Sequence, residues 1–143
     1  MLDAYRDLID DLLGTPSEIR ALIEPFEAST VSPETVLRIA ELRDRDRVVL
    51  ERAQIIVRQE NPYLSELHMA EAMGNQELMP LMDEMDTARG DLVSLLINLS
   101  LKDWERSANH ETEGEVSLSD EIEQHVEFDE AQRRRIRESL ATH

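Results

Sequence analysis

Cysteine is absent from this chain of 143 residues. Without it there is no disulfide framework, no thiolate metal ligand and no cysteine nucleophile, so thiol chemistry would need a thiol from a cofactor or substrate. Basic residues are also scarce, because 15 lysines and arginines stand against 32 acidic residues and give a formal charge of −17. Charge of this sign repels phosphate backbones and anionic lipids. We therefore expect neither nucleic acid nor a membrane as a partner.

Targeting signals and catalytic motifs are missing from the sequence as well. The N-terminus is acidic where a signal peptide is basic, and no window approaches the roughly 20 apolar residues of a membrane span. We find no glycine-rich phosphate loop, no His-Glu-x-x-His helix and no nucleophile elbow. The sequence thus predicts a cytoplasmic protein and identifies no catalytic residue.

The composition is that of a folded helical protein. Hydrophobic residues make up 41% of the chain and charged residues 33%, which is too apolar for a disordered chain. A length of 143 residues predicts a single domain, residues 1–143.

Start and stop signals divide the first quarter of the chain. Apolar residues at helical spacing, from position 8 to 13, stop at Gly14, which predicts a helix end. The dipeptide Thr15-Pro16 then predicts the start of a new helix, and Pro25 predicts its end.

Three longer helices follow. Ser32-Pro33 begins a helix that should run to about Gln59, and further helices are expected over about 76–99 and from Ser117 to about Leu140. A short helix over 64–73, closed by Gly74, should lie in the long connection between the second and third. No stretch alternates like a strand. The sequence predicts an all-α fold, a four-helix bundle.

Five methionines lie in or near the helix predicted over about 76–99. At helical spacing such residues favour an adaptable core over a binding surface. They are Met69, Met73, Met79, Met82 and Met85.

The helix predicted from Ser32 to about Gln59 carries an unusual charged run. Between Glu41 and Arg47 only Leu42 is apolar. One interpretation is a solvated, ion-paired surface turn. The other is that the side facing the bundle buries charge or lines a cavity.

Motifs at three points of the chain belong together. They are Glu41-Leu42-Arg43-Asp44, then Asp103-Trp104-Glu105-Arg106 with Asn109-His110 and Gly114-Glu115-Val116-Ser117-Leu118, and then Phe128-Asp129-Glu130-Ala131-Gln132. With these motifs the chain resembles, from about Ser32 to Arg137, the DinB-like helical bundle family, which includes metal-dependent thiol S-transferases and isomerases.

The resemblance also implies where a metal would bind. The family places one histidine on the second helix and an i, i+4 histidine pair on the last, and these positions read Glu41, Phe128 and Gln132 here. Phenylalanine cannot ligate and glutamine is a weak donor, whereas zinc and nickel require about four ligands that include nitrogen or sulfur. We expect a degenerate site, with a cavity at these positions and no metal cofactor.

An alternative moves the metal site by one helical turn. His125 and Asp129 are also spaced i, i+4 and could join Glu41 to hold zinc, nickel or another divalent ion. The contrary interpretation of His125 is a half-buried, hydrogen-bonded helix residue. Trp104 and His110 should anchor and fix the polar loop that precedes the last helix.

Three functional hypotheses follow. The first is a DinB-like protein with a degenerate metal site that binds a small molecule or has no catalytic role. The second is a divalent-metal-dependent hydrolase or thiol S-transferase that uses Glu41, His125 and Asp129. The third is a homodimeric interaction module that uses the apolar residues between Leu92 and Leu99.

Overall fold

A computed structural model of the protein describes residues 3–67 and 73–141. Four long helices form the bundle: α1 (Asp3–Ile23), α2 (Pro33–Arg58), α3 (Leu78–Ile97) and α5 (Leu118–Ala141). A short helix, α4 (Leu101–Trp104), precedes the last of them, and a single 3₁₀ turn (Ala28–Thr30) follows the first. Both α1 and α2 pack against α3 and α5. The predicted all-α four-helix bundle is thereby confirmed.

The first helix differs from its prediction. α1 runs without a break through Gly14 and Pro16, so the two helices predicted on either side of Gly14 are one. Ile9, Leu12, Ile19 and Ile23 are all buried, and they keep helical spacing across the proline. Burial of this continuous apolar stripe outweighs the local stop and start signals. The helix ends two residues before Pro25, as predicted.

The other long helices begin and end near their predicted limits. Ser32 is the N-cap of α2, where its hydroxyl accepts a hydrogen bond from the Thr35 backbone N–H, and Pro33 occupies the first turn. α3 begins after Glu77, which leaves the predicted long connection from residue 59 to 77. Gly74 lies in this connection, where a Cβ would come within 2.5 Å of the Pro33 carbonyl oxygen.

A small sheet replaces parts of the chain that were predicted as helix or loop. β1 (Tyr63–Leu64) pairs in parallel with β2 (Ser107–His110), and β2 pairs in antiparallel with β3 (Gly114–Ser117). The prediction of a short helix over 64–73 is therefore wrong at Leu64, which belongs to β1. Residues 68–72 of that predicted helix lie outside the described part. The three-residue turn between β2 and β3 ends at Gly114, whose φ of +77° favours glycine.

The bundle interior has two apolar clusters. One lies near the sheet and includes Leu12, Ile56, Leu92 and Trp104, and the other includes Ile39, Met82 and Ile136. Of the methionines predicted as core, Met82 and Met85 are buried, whereas Met73 and Met79 are more than half exposed. Met69 lies outside the described residues. Within residues 3–67 and 73–141, none of the helices combines the length and the hydrophobicity that a membrane span requires.

Candidate functional site

A buried arginine links all four long helices. Arg89 of α3 is 2% exposed, and its two terminal nitrogens donate to both carboxylate oxygens of Asp129 in α5, at 2.7 and 2.8 Å. Its Nε donates to Asp46 Oδ1 in α2 at 3.0 Å, and Nη1 also donates to the Leu12 carbonyl in α1 at 2.8 Å. We call Arg89, Asp46, His125, Asp129 and Thr15 the charged centre.

The carboxylates of the charged centre keep Arg89 protonated. Burial alone would lower its pKa, but Asp46 and Asp129 outweigh that effect and raise the pKa above the ordinary arginine value. The bidentate pairing with Asp129 uses the planar fork of the guanidinium, which lysine does not offer. Both aspartates are at most 1% exposed. The centre therefore depends on a cation supplied by the protein itself.

The hydrogen bonds of His125 define its tautomer. Arg45 Nε donates to His125 Nδ1 at 3.1 Å, and because arginine can only donate, Nδ1 carries a lone pair. The other ring nitrogen, Nε2, lies 2.6 Å from Asp46 Oδ1 and so carries the proton that it donates to that carboxylate. The contacts with Arg45 and Asp46 fit the tautomer that carries its proton on Nε2. Its predicted half-burial is wrong, because the side chain is fully buried.

A polar chain runs from the charged centre towards the protein surface. Thr15 donates its hydroxyl proton to Asp129 Oδ2 at 2.9 Å and accepts a hydrogen bond from Arg133 at 2.7 Å. Arg133 also pairs with Glu18, which is about half exposed. The hydrogen-bonding capacity of Asp129 is therefore used within the protein.

The family metal position is adjacent to this centre but has different contacts. Gln132 Nε2 donates to the Arg38 carbonyl at 2.8 Å and lies 3.4 Å from Glu41 Oε1, which also accepts from Arg38 Nη1 at 3.0 Å. The half-buried Phe128 ring lies beneath the Arg45 guanidinium, 4.7 Å from its centroid. Glu41 and Gln132 thus converge as the resemblance implies, but their polar atoms are paired with neighbouring groups.

These residues do not fit a zinc or nickel ion. The position offers one carboxylate, already paired with arginine, together with a neutral amide and a phenyl ring. In the described ranges no three histidine or acidic side chains come together as a metal site. The alternative set of Glu41, His125 and Asp129 is therefore not assembled, since Arg89 and Arg45 occupy the donor atoms of His125 and Asp129.

The charged run of α2 is largely buried. Arg43, Asp44 and Asp46 are 8%, 6% and 0% exposed, so the surface-turn interpretation is wrong for these residues. Arg43 pairs with Asp44 at 2.9 Å and with Glu84 of α3 at 2.8 Å. A buried charge is costly unless an opposite charge compensates it, and the ion pairs of Arg43 supply that compensation.

Trp104 ends α4 and His110 ends β2, and their contacts differ. Trp104 is 1% exposed and stacks on Tyr5 with a centroid distance of 4.5 Å, but its indole Nε1 has no hydrogen-bond partner within the described residues. His110 Nδ1 accepts from the backbone N–H groups of Thr112 and Glu113, both at 3.2 Å, across the β2–β3 turn.

The sequence interpretation missed Arg89, the residue at the middle of the site. A signal was present in the spacing, because Arg89 lies four residues after Met85 and three before Leu92, within the apolar stripe of α3. A charged residue at such a position must be paired inside the protein. Asp46 and Asp129 were the available buried partners on the neighbouring helices.

Comparison with known proteins identifies the fold. The sequence matches no protein-family model and has no significant match among curated proteins. A solved structure described as "YfiT from Bacillus subtilis is a probable metal-dependent hydrolase with an unusual four-helix bundle topology" is similar over 99% of this chain and 89% of its own, with a TM-score of 0.73 and 16% identity. The fold is thus DinB-like, as predicted.

Proposed function

We propose that this protein is a binding protein built on the DinB-like fold, with no metal ion at the family position and no metal-dependent reaction. The observation that supports this most strongly is the arrangement of Glu41, Phe128 and Gln132. Glu41 and Gln132 meet as ligands would, yet both are hydrogen-bonded to Arg38, and the Arg45 guanidinium lies over Phe128. The neighbouring charged centre already contains a buried cation, Arg89, which pairs with Asp46 and Asp129.

Elemental analysis tests this proposal on protein purified without a histidine tag. We expect much less than one equivalent of zinc or nickel per chain after dialysis against either metal. A stoichiometric, slowly exchanging ion would overturn the proposal. In that case Asp129→Ala and Gln132→Ala should be compared, because loss of the ion in only one of them would identify the donor set.

Restoring the imidazoles provides a positive control for the geometry. The triple variant Glu41→His, Phe128→His, Gln132→His should bind zinc or nickel, because position 41 faces position 132 and positions 128 and 132 lie one turn apart. The matched control introduces three histidines at exposed sites on separate helices, by Asp7→His, Glu51→His and Arg134→His. We expect metal uptake in the first variant and not in the control.

Most of the apolar residues on which the predicted homodimer depends are buried within the single chain. Leu92, Val93 and Leu96 pack in the core of the single chain, which leaves Ile97 and Leu101 as the exposed large apolar residues of that region. Two separated side chains offer far less area than a stable interface needs. We therefore expect a monomer at micromolar concentration in sedimentation velocity, and a dimer would restore the interaction hypothesis.

A further inference from the structure

A cavity that includes none of the family-position residues in its lining lies between the C-terminal turn of α1 and the start of α3. Its volume is about 340 Å³, within the range of about 300–1,000 Å³ that small-molecule sites occupy. The buried side chains of Ile23, Leu78 and Met82 form part of its lining, together with Phe26 and Met79. The cavity is therefore mainly apolar.

Two of these lining residues are exposed although they are large and apolar. Phe26 is 37% exposed and Met79 is 53% exposed. A second cavity, with a volume of about 420 Å³, shares Ala28, Leu78 and Met79 with the first. Flexible methionine and aromatic side chains at a cavity mouth adapt to a bound apolar group.

The charged groups that line this cavity, taken with the partners of Arg20 beside it, carry an excess of negative charge. Arg20 and Glu24 are part of its lining. The Arg20 guanidinium is already paired with Asp86, through two of its nitrogens, and with Asp83 at 3.2 Å. One cation therefore stands among three carboxylates, in a chain whose formal charge is −17. A carboxylate or phosphate ligand would be repelled, whereas a positive group would be attracted.

We propose that this cavity binds a small molecule with an apolar body and a protonated amine, the body between Phe26, Met79 and Met82 and the ammonium group beside Glu24. The proposal names a site and a ligand class for the binding role proposed above, and it rests on that role. The polarisable thioethers can pack against the alkyl carbons next to the ammonium group, and the phenyl ring can make a cation–π contact with it.

Titration with three probes of similar size tests the charge preference. Phenethylamine, phenethyl alcohol and hydrocinnamate share a phenyl group and differ in the charge of the head group. We expect the amine to bind about fivefold tighter than the alcohol, as one favourable charge contact in water would give, and the carboxylate to bind weakest. The preference for the amine should shrink in high salt because exposed charges are screened.

Methionine methyl NMR locates the bound probe. The methyl signals of Met79 and Met82 should shift with added phenethylamine, whereas that of Met85, which is buried outside the lining, should not. Ala28→Trp should abolish these shifts, because Ala28 is exposed and a larger side chain there would fill the cavity mouth. The control Ala141→Trp places the same indole at an exposed position away from the cavity.

A charge variant separates the ammonium contact from apolar binding. Glu24→Gln should reduce the preference for the amine over the alcohol at least twofold, while Glu127→Gln, an exposed glutamate of α5, should leave it unchanged. Equal affinity for all three probes, binding that survives Ala28→Trp, or no binding at millimolar concentration would each overturn this inference. None of these outcomes would alter the metal content, so the two proposals fail separately.

Discussion

The charged centre and the apolar cluster beside it hold the same helices together by different means. In the cluster near the sheet, Leu12, Ile56 and Leu92 are excluded from water and need no particular partner atoms. In the centre, Arg89, Asp46 and Asp129 are equally buried, but each depends on a defined partner. The first region tolerates changes of shape better than changes of polarity, whereas the second tolerates neither, because a lost partner leaves a charge without compensation.

Removing the guanidinium should give the largest effect. Arg89→Ala should lower the free energy of unfolding by about 3–5 kcal/mol, since it leaves Asp46 and Asp129 buried without a cation. Chemical denaturation measures the loss. The exposed Arg134→Ala on α5 is the control and should change stability by less than about 0.5 kcal/mol. A similar small loss for Arg89→Ala would mean that the centre contributes little.

A substitution that keeps the volume should separate charge from packing. Asp129→Asn removes the negative charge paired with Arg89 and should cost about 1.5–3 kcal/mol, the range for hydrogen bonds to charged groups. The matched change in the apolar cluster, Leu92→Met, should cost less than about 1.5 kcal/mol. If the two changes cost the same in denaturation experiments, the distinction between the regions would be lost.

The tautomer of His125 gives a spectroscopic test of the same contrast. We expect ¹⁵N spectra of the ring to show a protonated Nε2 and an unprotonated Nδ1, because Arg45 donates to the latter. Arg45→Met should remove this restriction and allow the other tautomer to appear. A doubly protonated ring in the native protein at neutral pH would contradict the assignment.

The smallest effect is expected at a charged contact on the surface. Asp103 forms a capping box with Ser100 and pairs with Arg106. The hydrogen bond from the Ser100 backbone lowers the pKa of Asp103 below 3.8; partial burial opposes this shift, and Arg106 adds to it. The contribution of its charge should be fully present above pH 3.8 and should disappear as the pH falls through the lowered pKa.

Asp103→Asn should therefore cost no more than about 1 kcal/mol at neutral pH. Comparison of its unfolding free energy with that of the native chain at pH 7 and under acidic conditions measures the difference. A loss that persists unchanged in strong acid would show that the carboxylate charge is not responsible. A loss as large as that of Arg89→Ala would remove the difference between buried and exposed charge.

Local signals predicted most of the helical fold, and they failed where distant contacts decide. Ser32 and Pro33 specify the start of α2 through nearby backbone geometry, and that prediction is confirmed. Gly14 and Pro16 gave an equally local signal, but burial of the α1 stripe against two other helices overrides it. The two-residue strand β1 is too short to produce alternation, so its pairing could not be recognised.

The site was predictable in part for a similar reason. Helical spacing within α5 places His125, Asp129 and Gln132 on its buried face. The spacing within one helix does not reveal which cation pairs with these side chains, because Arg89 lies on a different helix, α3. The family resemblance directed the prediction to possible metal ligands, whereas the buried cation of the interior is Arg89.

The parallel pairing of β1 with β2 has a consequence for the order of folding. The register joins Tyr63 to Asn109, so the loop that it closes contains the whole of α3. Closing so long a segment before α3 has docked costs entropy that two short strands cannot recover. We therefore infer that the sheet assembles after the helices. Its amide protons should exchange with solvent deuterium through openings that leave the helical amides protected.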